Sequence, residues 1–224
     1  SGFDLRTFND SEKLKMELES YGFYFSKHPI ALMRKTLSSK LTTINKLAPS
    51  NNEKYIPVLI NNKRVVKKGM NMFVFLEVSD ETGIIDVSVP LEVFDEKKQL
   101  IKENALVMLK GTVVTDDYRK GNYEEVGVKI RATDLMPIDQ GKKLVTSKIM
   151  LDISRDKIKE LGNGKFKEIK ELNDPDGVEV VLNMKDNSLN ISAEIKVDTF
   201  RVSLEDNTFE KINEIFGEEN YKLI

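Results

Sequence analysis

The chain has 224 residues, of which 40% are hydrophobic and 32% charged, which is enough for one large or two small folded domains. Its formal net charge of −2 excludes a polycation that coats nucleic acid through whole-molecule attraction, and the absence of cysteine excludes disulfides and thiolate metal sites. A single histidine cannot build a histidine-rich metal centre, and no apolar run approaches the roughly 20 residues of a membrane span. We therefore expect a cytoplasmic protein that needs no cofactor or metal and makes no membrane contact.

Residues 1–41 are predicted to be mostly helical. Leu14 and Leu18 are spaced to share one helical face. Pro29 then permits a second short helix, because proline is tolerated at the start of a helix. The polar residues 42–54 predict a linker.

Residues 55–138 are dominated by β-strand patterns, and the alternation is clearest where Ile85 and Val87 flank Asp86. The order is three strands, a helix and two more strands, which is that of an OB-fold, a five-stranded barrel that binds oligonucleotides with its second and third strands and its 1–2 and 4–5 loops. The expected strands lie at 56–60, 73–80, 85–89, 107–113 and 126–131, and the expected helix at 91–103.

Residues 144–224 mix strands and helices, and a short link at 141–143 joins them to the barrel. We expect a strand from Val145, a helix interrupted at 162–164, two paired strands and a last helix that ends at Gly217. The predicted fold class is therefore α+β and mainly β, with an N-terminal helical segment, a five-stranded OB-fold barrel and a small C-terminal α+β domain.

Cationic and aromatic residues cluster where the two ligand-binding loops of an OB-fold are expected. Cations there would neutralise phosphates, and aromatic rings would stack on bases. Phe73 and Phe75 lie on one face of the second strand and Val74 and Leu76 on the other, so either pair could line the core. The candidate DNA-binding residues are Lys63, Arg64, Lys67, Lys68, Phe73, Phe75, Tyr118, Arg119, Lys120, Tyr123, Lys129 and Arg131.

Simpler interpretations stand beside this one. Residues 55–138 contain 12 Lys and Arg against 13 Asp and Glu, so the barrel is nearly neutral and binding should be weak. The basic loop could be a solvated turn, and Asp80, Glu81 and Asp86 flank a turn rather than form a metal site. His28 precedes a proline without an obvious partner nucleophile, which favours a structural hydrogen bond. No GxxxxGK[ST] or GxGxxG motif is present, and we predict no catalytic residues.

The segment at 22–30, GFYFSKHPI, together with the barrel that follows it, resembles the C-terminal part of the alpha subunit of bacterial DNA polymerase III. The KKG at 67–69, the VSDETG at 78–83 and the DDY at 116–118 are similar to that family as well. The resemblance covers nearly the whole chain. It implies an OB domain that binds single-stranded template DNA and a C-terminal domain that in some members binds the tau subunit of the clamp loader.

The resemblance also implies that the polymerase's metal-binding aspartates lie outside this chain. Only Phe3 could remain of the family's sliding-clamp peptide and no glutamine precedes it, so clamp binding is not expected. Pro90 stands where a phenylalanine is common, which leaves the end of the third strand open.

We therefore expect a non-catalytic piece of a DNA-directed DNA polymerase, a nucleotidyltransferase, that binds single-stranded DNA in the replisome. The alternative is a protein-interaction module whose last domain docks a clamp-loader or other replisome partner, a role favoured by the near-neutral barrel and the acidic residues at 218–219. A nuclease or synthetase with an OB appendage is a third possibility, disfavoured because no catalytic constellation accompanies the barrel.

Overall fold

The computed structural model of the protein describes residues 27–116, 127–186, 191–217 and 220–224. The helix expected around Leu14 and Leu18 lies outside these ranges. The chain divides into two compact units, of which the first contains residues 41–138 and the described residues up to Arg34, and the second contains 35–40 and 139–224. Within the described ranges, no helix is both long and apolar enough to cross a membrane.

The first unit is built on a closed five-stranded barrel. Its elements are α1 Pro29–Met33, a 3-10 turn at Ile44–Lys46, β1 Ser50–Lys68, β2 Asn71–Asp80, β3 Gly83–Val89, α2 Leu91–Lys97, β4 Leu106–Thr115 and β5 Val128–Pro137.

The strands close in the order β1-β2-β3-β5-β4, and the predicted OB-fold is confirmed. The length of β1 makes the closure possible, because its first part pairs with β4 up to Leu59 and its second part pairs with β2 from Leu59 onward. The register shifts between Ile60 and Asn62, where the strand passes from one neighbour to the other. The last seam is a short parallel pairing of β3 with β5 at Val87 and Ile130.

The inward-facing apolar side chains of the strands fill the barrel, as their alternation in the sequence predicts. Ile56, Val58 and Ile60 are fully buried, and the helix α2 and the residues after it close one end through Phe94 and Ile101. The helix ends at Lys97 rather than at residue 103, because the backbone that follows turns to form hydrogen bonds with Ile60. The amide of Asn104 donates to the carbonyl of Ile60, and the amide of Ile60 donates to the carbonyl of Ala105.

Residues 42–54 differ from the polar linker that their composition suggests. Ile44 lies in a 3-10 turn, is buried against the barrel core, and has Leu47 packed beside it. Ser50 already begins β1 and is paired with Val113. The apolar side chains among the polar residues hold this stretch on the barrel.

The second unit contains one sheet with helices against it, and the predicted α+β class is confirmed. Its elements are α3 Ile138–Val145, β6 Lys148–Ser154, α4 Arg155–Glu171, β7 Asn173–Asp186, β8 Ile191–Val202, α5 Asp206–Phe216 and β9 Tyr221–Leu223. The sheet order is β8-β7-β6-β9, with Phe209, Ile212 and Phe216 of α5 in the core.

Three local expectations for this unit were wrong. The residues 141–143, read as a link, lie inside α3, where Lys142 is almost completely buried with its ammonium 5.2 Å from the centre of the Phe209 ring. Val145 ends that helix, so the strand begins at Lys148. The helix α4 runs through 162–164 without a break, because each glycine lowers helix propensity by only about 1 kcal/mol and Ile158 and Ile169 on either side pack on the core of this unit.

Candidate nucleic-acid interface

The outer face of the barrel carries one row of aligned side chains across four strands. Pairing places Arg64 of β1 opposite Phe75 of β2, Phe75 opposite Ser88 of β3, and Ser88 opposite Arg131 of β5. Residues directly opposite each other in a sheet project from the same face. The row therefore has a guanidinium at each end and an aromatic ring between them.

The structure decides which face of β2 is the core. Val74, Leu76 and Val78 are 1% exposed, whereas Phe73 is 44% exposed and Phe75 is half-buried. Both phenylalanines therefore lie on the outer face. The guanidinium carbon of Arg64 lies 5.6 Å from the centre of the Phe75 ring, a cation–π distance that holds this arginine over the aromatic surface.

Beside the row lies a groove of about 470 Å³. Phe73 and Phe75 form its aromatic floor, Arg131 contributes a cation, and Glu92 of α2 contributes a carboxylate. A space of this size with ring faces and one cation can hold a flat, anionic ligand unit such as a nucleotide.

The basic segment, which was predicted to be a loop, is a β-hairpin formed by the end of β1 and the start of β2. β1 continues to Lys68, which pairs with Asn71 across a two-residue turn, and Gly69 in that turn has φ of 62°. Residues 62–73 form this ribbon, which we call the arm. Cross-strand pairing satisfies the backbone groups that a loop would leave to water, so the polar residues are held extended.

Because the arm is extended, its cations alternate between two faces. Arg64 and Lys68 lie on the same face as the aromatic row, which we call the front of the arm. Lys63 and Lys67 pair with Leu76 and Met72 and lie on the opposite face, which we call the back. No single face of the arm therefore contains all four cations.

Ion pairs elsewhere on the barrel neutralise some of its other cations. The hydrogen bond that Lys110 donates to Glu53 at 2.7 Å raises the pKa of this lysine. Lys129 lies 4.0 Å from Asp116. Within the residues the structure describes, none of the four arm cations has a carboxylate partner.

Of the predicted site residues, Arg64, Phe73, Phe75 and Arg131 come together at the row and groove. Lys68 is on the same face toward the tip, Lys63 and Lys67 are on the back, and Lys129 lies beside Arg131 on β5. Their role in DNA binding stays a prediction. The predictions for Tyr118, Arg119, Lys120 and Tyr123 fall outside the described residues.

Two groove residues, Ser88 and Glu92, were missed by the sequence analysis. Ser88 was already visible as an outward position in the alternation of β3. Glu92 carried no sequence signal, because α2 reaches the groove only through the tertiary packing of Phe94 on the barrel end.

The segment around His28 has a structural role on the same unit. Its Nδ1 accepts from the amide of Ile30 at 3.2 Å, so the ring is neutral and Nε2–H donates to Ser79 Oγ at 3.0 Å, which in turn donates to Asn61 at 2.8 Å. Burial lowers the pKa of His28, although the carboxylates of Glu81 and Asp80 oppose this effect. The histidine therefore fastens α1 to the barrel.

The comparisons agree with this fold. Residues 58–138 match the family model of the OB-fold nucleic acid binding domain. The DNA polymerase III subunit alpha of Pseudomonas aeruginosa is 27% identical over 154 residues, which are 66% of this chain and 12% of that protein. The corresponding subunit of Aquifex aeolicus is 35% identical over 109 residues, 47% of this chain and 9% of that protein.

The resemblance to the alpha subunit of DNA polymerase III is thus confirmed, and the chain spans about a tenth of the length of these relatives. Among solved structures, asparaginyl-tRNA synthetase from Pyrococcus horikoshii is similar over 45% of this chain and 22% of its own, with 19% identity and a TM-score of 0.35. An overlap this small does not bear on function.

Proposed function

We propose that the barrel binds single-stranded DNA across its outer face, as a non-catalytic part of a replicative DNA polymerase of the bacterial cytoplasm. The observation that carries this proposal is the row formed by Arg64, Phe75, Ser88 and Arg131. Guanidinium groups at its ends suit phosphates, and the ring between them suits a base. The relatives are DNA polymerase III alpha subunits, which supports replication as the setting.

The row has the right length for a short stretch of one strand. It crosses three interstrand spacings of about 4.8 Å, or about 14 Å, which is the rise of about four stacked nucleotides at 3.4 Å each. OB-folds occupy about 4–16 nucleotides. The barrel would therefore hold a segment at the lower end of that range.

Binding by this unit alone should be weak. The barrel contains nearly equal numbers of acidic and basic residues, and Glu77 and Asp86 face each other directly beside the row. Their carboxylates repel phosphates and would confine the strand to the Phe73 side of the row. In a longer polymerase, tethering would raise the local concentration of the template and make a weak grip effective.

Fluorescence anisotropy with a labelled oligo-dT tests the proposal. We expect binding that weakens as salt rises, because phosphate contacts release counterions. The double variant Arg64→Glu/Arg131→Glu should bind at least about tenfold more weakly and should lower the slope of log K against log salt by about 1.4, or 0.7 for each lost phosphate contact.

The matched control is Lys46→Glu/Lys102→Glu, which changes the net charge equally at exposed lysines outside the row, the groove and the arm. If the control variant weakens binding as much as the arginine variant, the effect comes from net charge and the row is not the site. Wild-type protein that shows no salt-sensitive binding would remove the proposed function.

A second candidate is docking of a clamp-loader or other replisome partner through the second unit. Within the described residues no strand pairs with the outer edge of β8, and Ile195 on that strand is 43% exposed. An exposed strand edge can accept an extended peptide from a partner. In a pull-down with the purified tau subunit, Ile195→Asp should lose the partner while oligo-dT affinity is unchanged; retained capture would exclude this edge.

A further inference from the structure

The arm carries cations that a single DNA strand bound along the row does not contact. Residues 62–73 contain four cations and no carboxylate, and two of the cations, Lys63 and Lys67, lie on the back. A strand that follows the row lies on the front. The β-ribbon itself separates such a strand from the back lysines.

The back of the arm is open to a ligand. Lys63, Val65 and Lys67 are exposed, and Val65 is 41% exposed although it is apolar. The ammonium of Lys63 lies 6.0 Å from the centre of the Phe94 ring of α2, which steadies this lysine at the base of the arm. The back therefore carries two cations and an apolar side chain without a carboxylate among them.

The tip of the arm is apolar. Met70 stands in the turn between Lys68 and Asn71 and is fully exposed, with no protein surface to cover its side chain. Proteins that open or kink DNA insert apolar side chains such as methionine against base steps. A methionine between two lysine-bearing faces is suited to contact with an exposed base pair.

We propose that the arm recognises the junction between single-stranded and double-stranded DNA. The front holds the strand that crosses the barrel, Met70 rests on the terminal base pair of the duplex, and Lys63 and Lys67 neutralise phosphates of the complementary strand. The inference rests on the proposed function, because it takes the single strand on the front as given. Cations lie on both faces of the same ribbon, and this arrangement favours a partner with two phosphate backbones.

Two DNA probes separate this inference from the proposed function. One is a labelled oligo-dT, and the other is a labelled hairpin duplex that ends in an oligo-dT overhang of the same length. The wild-type protein should bind the junction about tenfold more tightly than the oligo-dT at the same salt, because two further phosphates are neutralised.

Three variants of the arm assign its parts. Lys63→Glu/Lys67→Glu should remove the preference for the junction and leave oligo-dT affinity within about twofold, whereas Arg64→Glu/Lys68→Glu should weaken both probes by a similar factor of about ten. Met70→Ser should reduce the preference about threefold without changing oligo-dT binding. Lys46→Glu/Lys102→Glu is the control for net charge, and an unchanged thermal melt shows that each variant is folded.

Equal affinity of the wild-type protein for the two probes would overturn the inference and leave the proposed function intact. So would an equal loss of both affinities in Lys63→Glu/Lys67→Glu, because all four cations would then serve the single strand. Absence of oligo-dT binding would instead remove the proposed function and the inference together. A back face that binds an acidic protein rather than a second DNA strand would appear as equal binding of the two probes.

Discussion

The buried carboxylate of Asp80 accepts a hydrogen bond of 2.8 Å from the backbone amide of Ile44, 36 residues earlier in the chain. Its other oxygen accepts from the amide and the hydroxyl of Thr82 at 2.7 and 2.6 Å, and Arg34 lies 3.5 Å away. One side chain therefore joins the residue that caps the end of α1, the 3-10 turn and the turn between β2 and β3. The sequence pattern favoured a turn rather than a metal site at Asp80, and its hydrogen bonds give this carboxylate a structural role.

Replacement of Asp80 by alanine should lower the free energy of unfolding by about 3–5 kcal/mol, because it removes the acceptor of the buried Ile44 amide and of the Thr82 amide and hydroxyl, and one of the two carboxylates that pair with Arg34. Urea denaturation measures the change. Asp95→Ala, at an exposed position of α2, should change stability by less than about 0.5 kcal/mol. A loss below about 1 kcal/mol at Asp80 would contradict the role described for its carboxylate.

His28 should make the stability of the protein depend on pH between pH 7.5 and 5.5. Burial lowers its folded-state pKa below the ordinary 6.5, so the unfolded chain binds the proton first and stability falls as the pH drops below about 6.5. The fall ends once the pH has passed the lower, folded-state pKa. His28 is the only histidine in the chain, which isolates this titration from other histidines.

The measurement compares the free energy of unfolding of the wild-type protein and of His28→Gln at several pH values in that range. We expect the variant to be less stable at pH 7.5 and to lose less on acidification. Parallel pH profiles for the two proteins would show that another group causes the dependence.

The barrel could be predicted from the sequence because its strands alternate clearly and its turns carry their own signals. Ile85 and Val87 point inward as expected, and Gly83 follows the turn. The arm could not be predicted, because its lysines and Gly69 are equally typical of a loop and only pairing with β2 makes them a strand. Lys142 was missed for a similar reason, since glycine and lysines predict a link and only tertiary packing buries this side chain.

The residues of the site were predicted from the sequence, but their positions relative to one another were not. Phe73 and Phe75 were candidates together with the cations, yet both faces of β2 are apolar, so the alternation alone does not identify the outer face. The separation of Lys63 and Lys67 from Arg64 follows from strand register, which depends on pairing between segments distant in sequence.

Close packing of β4 on β5 should make Gly111 intolerant of a side chain. A Cβ atom at this position would lie 2.4 Å from the carbonyl oxygen of Arg131 and 2.9 Å from Cγ2 of Ile130. We expect Gly111→Ala to lower the free energy of unfolding by about 2–4 kcal/mol, because backbone must shift at the register change beside this pair. Gly83→Ala is the matched control, since its Cβ would meet only Ile44 at 3.6 Å. Similar losses in the two variants, measured by thermal or urea denaturation, would contradict this explanation.

The aromatic floor of the groove should contribute to DNA binding without a dependence on salt. Phe73→Ala removes a ring that is 44% exposed, so the fold should be nearly unaffected, while oligo-dT affinity should fall by about 1–3 kcal/mol for the loss of one stacked base. Because no phosphate contact is lost, the plot of log K against log salt should shift downward with an unchanged slope.

Val66→Ala, at the position directly opposite on β1 and 38% exposed, removes apolar surface but no ring and should change affinity less than about twofold. If Val66→Ala weakens binding as much as Phe73→Ala, general apolar contact rather than stacking explains the affinity; a changed salt slope in Phe73→Ala would place phosphate, not a base, over this ring.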